Sequence, residues 1–145
     1  ILEQEFIRAR RYGFPLTIAM LDLDHVKSIN DNFGHDAGDE VLHEFCHMVR
    51  EHLRLTDSFG RWGGEEFIII LPHTNTNDAI SSINRIREDM ASMSFKKLHG
   101  ERKMTFSAGL AIQTTKDADV NALIKRADAA LYLAKNSGRN RLEMG

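Results

Sequence analysis

The stretch Asp57-Ser58-Phe59-Gly60-Arg61-Trp62-Gly63-Gly64-Glu65-Glu66-Phe67-Ile68-Ile69-Ile70-Leu71 decides the fold. A mixed polar segment and an apolar segment flank paired glycines, the pattern of two strands joined by a tight turn. The tip of that hairpin carries two carboxylates, Glu65 and Glu66. Upstream, the near-continuous apolar run Leu16 to Leu23 has the length and composition of a strand covered on both faces, so it belongs in the centre of a sheet. It closes on a second acidic pair, Asp22 and Asp24. A strand end and a hairpin tip that both present acid suit a hard divalent cation, and glycine at the tip lets backbone come close to a phosphate.

Around these two segments the periodicity predicts the remaining elements. Ile1 to Tyr12 reads as a charged helix stopped by Gly13-Phe14-Pro15, and His25 to Asn32 as a short helix. Gly34 and Gly38 then break the chain before a long helix, Asp39 to Leu53, with Val41, Leu42, Phe45, Met48, Val49 and His52 on one face. Asn77 or Asp78 is the expected N-cap of a helix carrying Ile80, Ile83, Ile86 and Met90. Met104 to Ile112 alternates as a strand, although Gly109 inside it argues the other way. Val120 to Ala134 forms a last helix ended by Ser137-Gly138. Helices alternating with strands, plus one hairpin, give an α/β (α+β) domain: a mixed central sheet flanked by helices.

At 145 residues, 42% hydrophobic and 28% charged, the chain fits one soluble domain spanning 1–145. A formal net charge of -2 lacks the basic bias expected of a partner for nucleic-acid polymers or anionic membranes. The single cysteine, Cys46, rules out an internal disulfide and falls on the apolar face of the long helix. No apolar stretch approaches a membrane span and no secretory signal is visible, which points to a cytoplasmic domain making no membrane contact. Because the sequence opens without Met inside an amphipathic stretch, it reads as a piece trimmed from a longer protein with a preceding regulatory domain.

Asp22-Leu23-Asp24-His25-Val26-Lys27, Asn30-Asp31, Phe33-Gly34-His35-Asp36, Gly38-Asp39, Arg61 to Phe67, Ala134-Lys135 and Gly138-Arg139-Asn140 follow one another in the order and spacing of the GGDEF family of diguanylate cyclases. The resemblance covers nearly the whole chain; only the family's opening Asp-x-Leu-Thr motif is missing. It implies a fold similar to the polymerase palm and to adenylyl cyclases, and condensation of two GTP into cyclic di-GMP with release of two pyrophosphates. It also implies two magnesium ions per half-site, with manganese as the alternative, held by Asp22, the Leu23 carbonyl and Glu65, with Glu66 assisting. Glu65 and Lys27 are the implied catalytic residues, Glu65 as proton acceptor. The amides of His25 and Val26 with Lys27, and Lys135 with Arg139 from the opposite side, match the family's phosphate contacts; Asn30 and Asp39 match its guanine readers, with His35 nearby. Asp39 reads equally well as an N-cap of the long helix. Arg54-Leu55-Thr56-Asp57 matches the family's Arg-x-x-Asp inhibitory motif, and Arg85 its supporting arginine, so binding of the product cyclic di-GMP is expected there.

The chemistry agrees with these implications. Attack of a ribose hydroxyl on an α-phosphate needs the triphosphate charge neutralised, which carboxylate-held cations achieve. A twofold-symmetric product made from two identical nucleotides needs two half-sites face to face, hence a homodimer. Two rivals remain at this point: a degenerate domain that only binds GTP or cyclic di-GMP, and an enzyme that also accepts adenine.

Overall fold

The computed structural model describes residues 1–100 and 102–145. Its centre is a five-stranded sheet in the order β2-β3-β1-β4-β5, with β1 at Leu16–Leu23, β2 at Ser58–Gly63, β3 at Glu66–Pro72, β4 at Phe106–Ile112 and β5 at Leu142–Met144. β1 is the central strand and every one of its residues is buried, as its near-continuous apolar run leads one to expect. It pairs antiparallel with both β3 and β4, and the register places Asp22 opposite Glu66 on one side and Ser107 on the other. Only β5 joins in parallel, through β4.

Alternation along the strands splits the core into two layers. Leu21, Phe67, Ile69, Phe106 and Leu110 face α2 (Val26–Phe33), α3 (His35–His52) and α4 (Thr76–Ser92), with Phe45 of α3 meeting Phe67 and Phe106 edge-on or tilted at ring distances of 5.1 and 5.6 Å. Ile18, Met20, Ile68 and Ile70 face α1 (Leu2–Tyr12) and α5 (Val120–Asn136). Asp22 and Glu66 continue this second row to its open end, under the C-terminal part of α5.

Several boundaries differ from the sequence-based expectation. The long helix starts at His35, capped by Gly34 at φ 89°, so Gly38 lies inside it and Asp39 cannot be its N-cap. Gly38 sits within the helix where a Cβ would overlap the end of the Asn30 side chain, so its bareness leaves that side chain its place against α3. The cap of α4 is Asn75, whose side chain accepts from the Asp78 amide, two to three residues before the expected Asn77 or Asp78. Gly109 belongs to β4 after all: a side chain there would collide with the backbone of Ala127 and Leu131, so its bareness lets α5 lie directly on the strand. Cys46 is half-buried at the margin of the first core layer.

Candidate active site

The hairpin closes with Gly63 paired to Glu66, leaving Gly64 and Glu65 as the turn; Gly64 takes φ 52°, a conformation that glycine adopts without cost. A register shift between Arg61 and Gly63 bulges the strand at Trp62, and the Arg61 Nε–H donates to the Gly64 carbonyl at 2.6 Å, clasping the turn. Glu65 therefore stands exposed at a fixed tip. Across from it β1 runs out at Leu23, and His25, at φ 62°, turns the chain into α2. The first amides of α2 have no intrahelical acceptor and make an anion-binding end.

Asp22, Leu23, His25, Val26, Lys27, Asp31, Glu65, Lys135 and Arg139 line one open cleft of about 460 Å3. The strand terminus and the hairpin tip thus converge, as expected. Val26 buries its side chain in the core, leaving its backbone as the part that can meet a ligand. Lys27 is exposed on the cleft. Lys135, from the last turn of α5, reaches the Asp22 carboxylate and pairs with it. Arg139 lies just past the helix end at φ 63°, with its amide on the Ala134 carbonyl.

The two acids of β1's end have opposite roles. Asp24 is 2% exposed and fully satisfied: it accepts from Thr105 Oγ1 at 2.6 Å, Ser107 Oγ at 2.8 Å and the Asn140 amide at 3.0 Å. It ties β4 to the turn that carries Arg139, so it is a structural carboxylate rather than half of a cation-binding pair. The signal for this was present in Thr105 and Ser107, whose hydroxyls need acceptors when buried. Asp22 is nearly as buried, yet its Oδ1 has no partner. Burial raises its carboxyl above the usual range, helped by the Glu65 and Asp24 charges, and Lys135 offsets this only partly. An orphaned, desolvated carboxylate oxygen is what a cation would satisfy, so the residues present fit a divalent metal. Among the described residues no three acids or histidines stand close enough to hold an ion alone.

Glu66 lies beside Asp22 in the register but lines a neighbouring hollow with Trp62, Asp128 and Tyr132; burial, then the Asp22 charge, raises its carboxyl. Asn30 of α2 packs over Gly38 of α3, the residue before Asp39 in the chain. Asp39 and His35 are exposed on the first turns of α3, and none of these three residues is among those lining the cleft.

Arg54, Asp57 and Arg85 meet at a separate cavity of about 280 Å3, together with His52 and Thr74. Arg54 grips Asp57 with Nε at 3.2 Å and a terminal nitrogen at 2.9 Å, and also reaches the Pro72 carbonyl and Thr74 Oγ1 at 3.1 and 2.7 Å.

Residues 1–141 match the family described as Diguanylate cyclase, GGDEF domain. The chain is 43% identical over 143 residues to the diguanylate cyclase DgcP of Pseudomonas aeruginosa, which covers 99% of this chain and 21% of that protein. The active GGEEF domain of a diguanylate cyclase from Vibrio cholerae superimposes with a TM-score of 0.93 at 36% identity, covering 99% of this chain and 90% of that one. The GGDEF domain of DgcB from Caulobacter crescentus, solved in complex with c-di-GMP, gives 0.92 at 30% identity, with 99% and 85% covered. The sheet and its flanking helices are thus those of solved GGDEF domains. The chain belongs to the GGDEF family of diguanylate cyclase domains, and it spans between a fifth and two fifths of the length of the curated relatives it matches. Among the described residues no helix is long and apolar enough to cross a membrane.

Proposed function

We propose that this chain is the catalytic domain of a diguanylate cyclase, residues 1–145 of a longer cytoplasmic signalling protein, and that two copies condense two GTP into cyclic di-GMP and two pyrophosphates. The observation that carries this reading is Asp22: a buried carboxylate with an unpartnered oxygen, sharing one cleft with Glu65, Lys27, Lys135 and Arg139. Asp22, the Leu23 carbonyl and Glu65 would hold magnesium with the substrate's phosphates, and Glu66 stands behind them. Bound there, the ions would neutralise triphosphate charge and lower the proton affinity of the attacking 3'-hydroxyl. Lys27 and the first amides of α2 hold the terminal phosphates from one side, and Lys135 and Arg139 from the other. Lys135 then divides its charge between Asp22 and phosphate. Glu65 accepts the 3'-hydroxyl proton directly or through a water. Asp39 and Asn30 read guanine, whose N1 and N2 hydrogens an acid accepts and which adenine cannot match at N1. His35 flanks that base.

Each copy holds one nucleotide, so bond formation needs a second copy facing the first. Incubation with magnesium and GTP, and with GTP plus ATP, followed by chromatography, is expected to yield cyclic di-GMP in both mixtures. Recovery of GTP alone would leave a binding module, and a mixed dinucleotide would overturn the base assignment. Specific activity is expected to fall on dilution; proportionality of rate to protein down to nanomolar concentration would refute the dimer. Product is proposed to bind at Arg54, Asp57 and Arg85 and to slow the enzyme. Arg54 and Asp57 hold each other in this structure, so reading guanine O6 and N7 with the arginine and N1 and N2 with the aspartate requires the base to take the place of that pairing.

A further inference from the structure

A third cavity, of about 360 Å3, opens between α3 and the hairpin, on the opposite face of the sheet from α5. Leu42, Cys46 and Arg50 of α3 form one wall and Phe59, Arg61 and Phe67 the other, with His43 also on the lining. The Phe59 and Phe67 rings stack at 5.4 Å and 14°. Arg50 sits over Phe59 at 5.4 Å and Arg61 over Phe67 at 5.9 Å. The two rings and the two guanidinium groups thus line one side of the cavity, with the Phe67 ring itself buried, and among the described residues neither guanidinium is in a salt bridge.

Guanidinium is weakly hydrated, stacks flat on π systems and pairs with oxyanions. Leu42 and the Cys46 thiol add apolar surface beside it. Flat apolar walls with two uncompensated cations fit one chemistry: an aromatic ring that carries a phosphate or carboxylate. Arg61 adds a connection, because its Nε holds the Gly64 carbonyl at 2.6 Å. A ligand that draws the guanidinium toward its own anion pulls on the turn that carries Glu65. We propose that this cavity is an effector site for a flat aromatic anion, distinct from the Arg54 cavity and bordering the nucleotide site one turn beyond Asp39 on α3, and that its occupancy is transmitted to Glu65 through Arg61 and Gly64. The binding half of this inference is independent of the cyclase reading; the transmission half rests on it.

Cys46, the chain's only cysteine, makes the binding half directly testable. Burial pushes its thiol up while Arg50 and Arg61 pull the other way. In the full chain its thiolate attacks 5,5'-dithiobis(2-nitrobenzoate), forming a mixed disulfide and releasing one thionitrobenzoate to be counted. Saturating 1-naphthyl phosphate is expected to slow this reaction about fivefold or more by covering the thiol. Arg50→Ala, which lies outside the catalytic machinery, is expected to abolish that protection. Equal protection by neutral 1-naphthalenemethanol would reduce the cavity to an apolar crevice, and equal protection by inorganic phosphate to a basic patch; either result overturns the proposal. Guanosine monophosphate and 1-naphthoate, run alongside, separate a nucleotide from an aromatic acid as the source. Emission from Trp62, the single tryptophan and the neighbour of Arg61, supplies a second readout of binding should the thiol react too slowly. For transmission, 1-naphthyl phosphate is expected to change kcat at saturating GTP in the wild type and not in Arg50→Ala. An unchanged kcat with Cys46 protected would overturn the transmission half alone, and absence of any cyclase activity in the wild type would instead refute the proposed function.

Discussion

Helix α5 supplies a cation to a buried aspartate at each of its ends, and the two pairs are built in opposite ways. At the N-terminal end Arg126 forks onto Asp117, with Nε to one oxygen at 3.0 Å and a terminal nitrogen to the other at 2.5 Å, while the Thr114 amide adds a third bond. Burial alone would raise the Asp117 carboxyl, but the bonds from Arg126 and Thr114 outweigh it and hold the group below the usual range. At the C-terminal end Lys135 meets one oxygen of Asp22, the other has nothing, and burial keeps that carboxyl raised. The comparison separates a carboxylate that holds the fold together from one kept short of partners. Complete satisfaction is stabilising and chemically inert, whereas the deficit at Asp22 is what gives a cation something to bind.

The largest effect that tests this contrast is on catalysis. Asp22→Ala is expected to lower cyclase turnover by about 10³-fold or more, the several kcal/mol that metal-held charge contributes, with the circular-dichroism spectrum unchanged. Retention of more than about a tenth of the activity would place the metal elsewhere. Next comes stability at the other end: Asp117→Asn is expected to cost roughly 2–4 kcal/mol in urea unfolding by leaving Arg126 without its partner, with kcat per folded molecule unchanged. The same pair gives a pH test. A folded-state pKa below the unfolded value of about 3.9 contributes stability that is fully present above that value and is lost as pH falls through the lower folded one. The stability gap between wild type and Asp117→Asn is therefore expected to be constant at neutral pH and to close below about pH 4, which urea midpoints measured across that range would show. The smallest effect concerns an intermediate pair, Arg54 and Asp57, in which the acid is 4% exposed and the arginine 55%. Arg54→Ala is expected to leave initial rates intact and to remove the slowing as product accumulates. An unaltered progress curve would show that this pair only holds its loop.

Much of this was legible in the residues. A near-continuous apolar run marks β1 as central because a solvated strand would alternate, and the paired glycines before Glu65 announce the turn. The convergence of Asp22 with Glu65 followed from those two elements. What escaped depends on contacts distant in sequence. Gly38 reads as a helix breaker until Asn30 is seen packed where its side chain would be. The strand holding Gly109 was legible, but the reason a glycine stands inside it appears only when α5 is laid upon it. The strand Leu142–Met144 is too short for any periodicity and exists through pairing with β4. Asp22 and Asp24 read as one acidic pair in the sequence, and the hydroxyls of Thr105 and Ser107, some eighty residues away in the chain, are what set Asp24 apart.

The bare backbone at Gly109 has a consequence for how this domain can vary. Ala127 and Leu131, which press against it, lie between Arg126 and Lys135, so the strand acts as the fulcrum of a lever whose arms end in the two aspartate pairs. Thickening that fulcrum by one methyl group would tilt both arms at once, coupling durability and chemistry to a single tolerance in the middle of the helix.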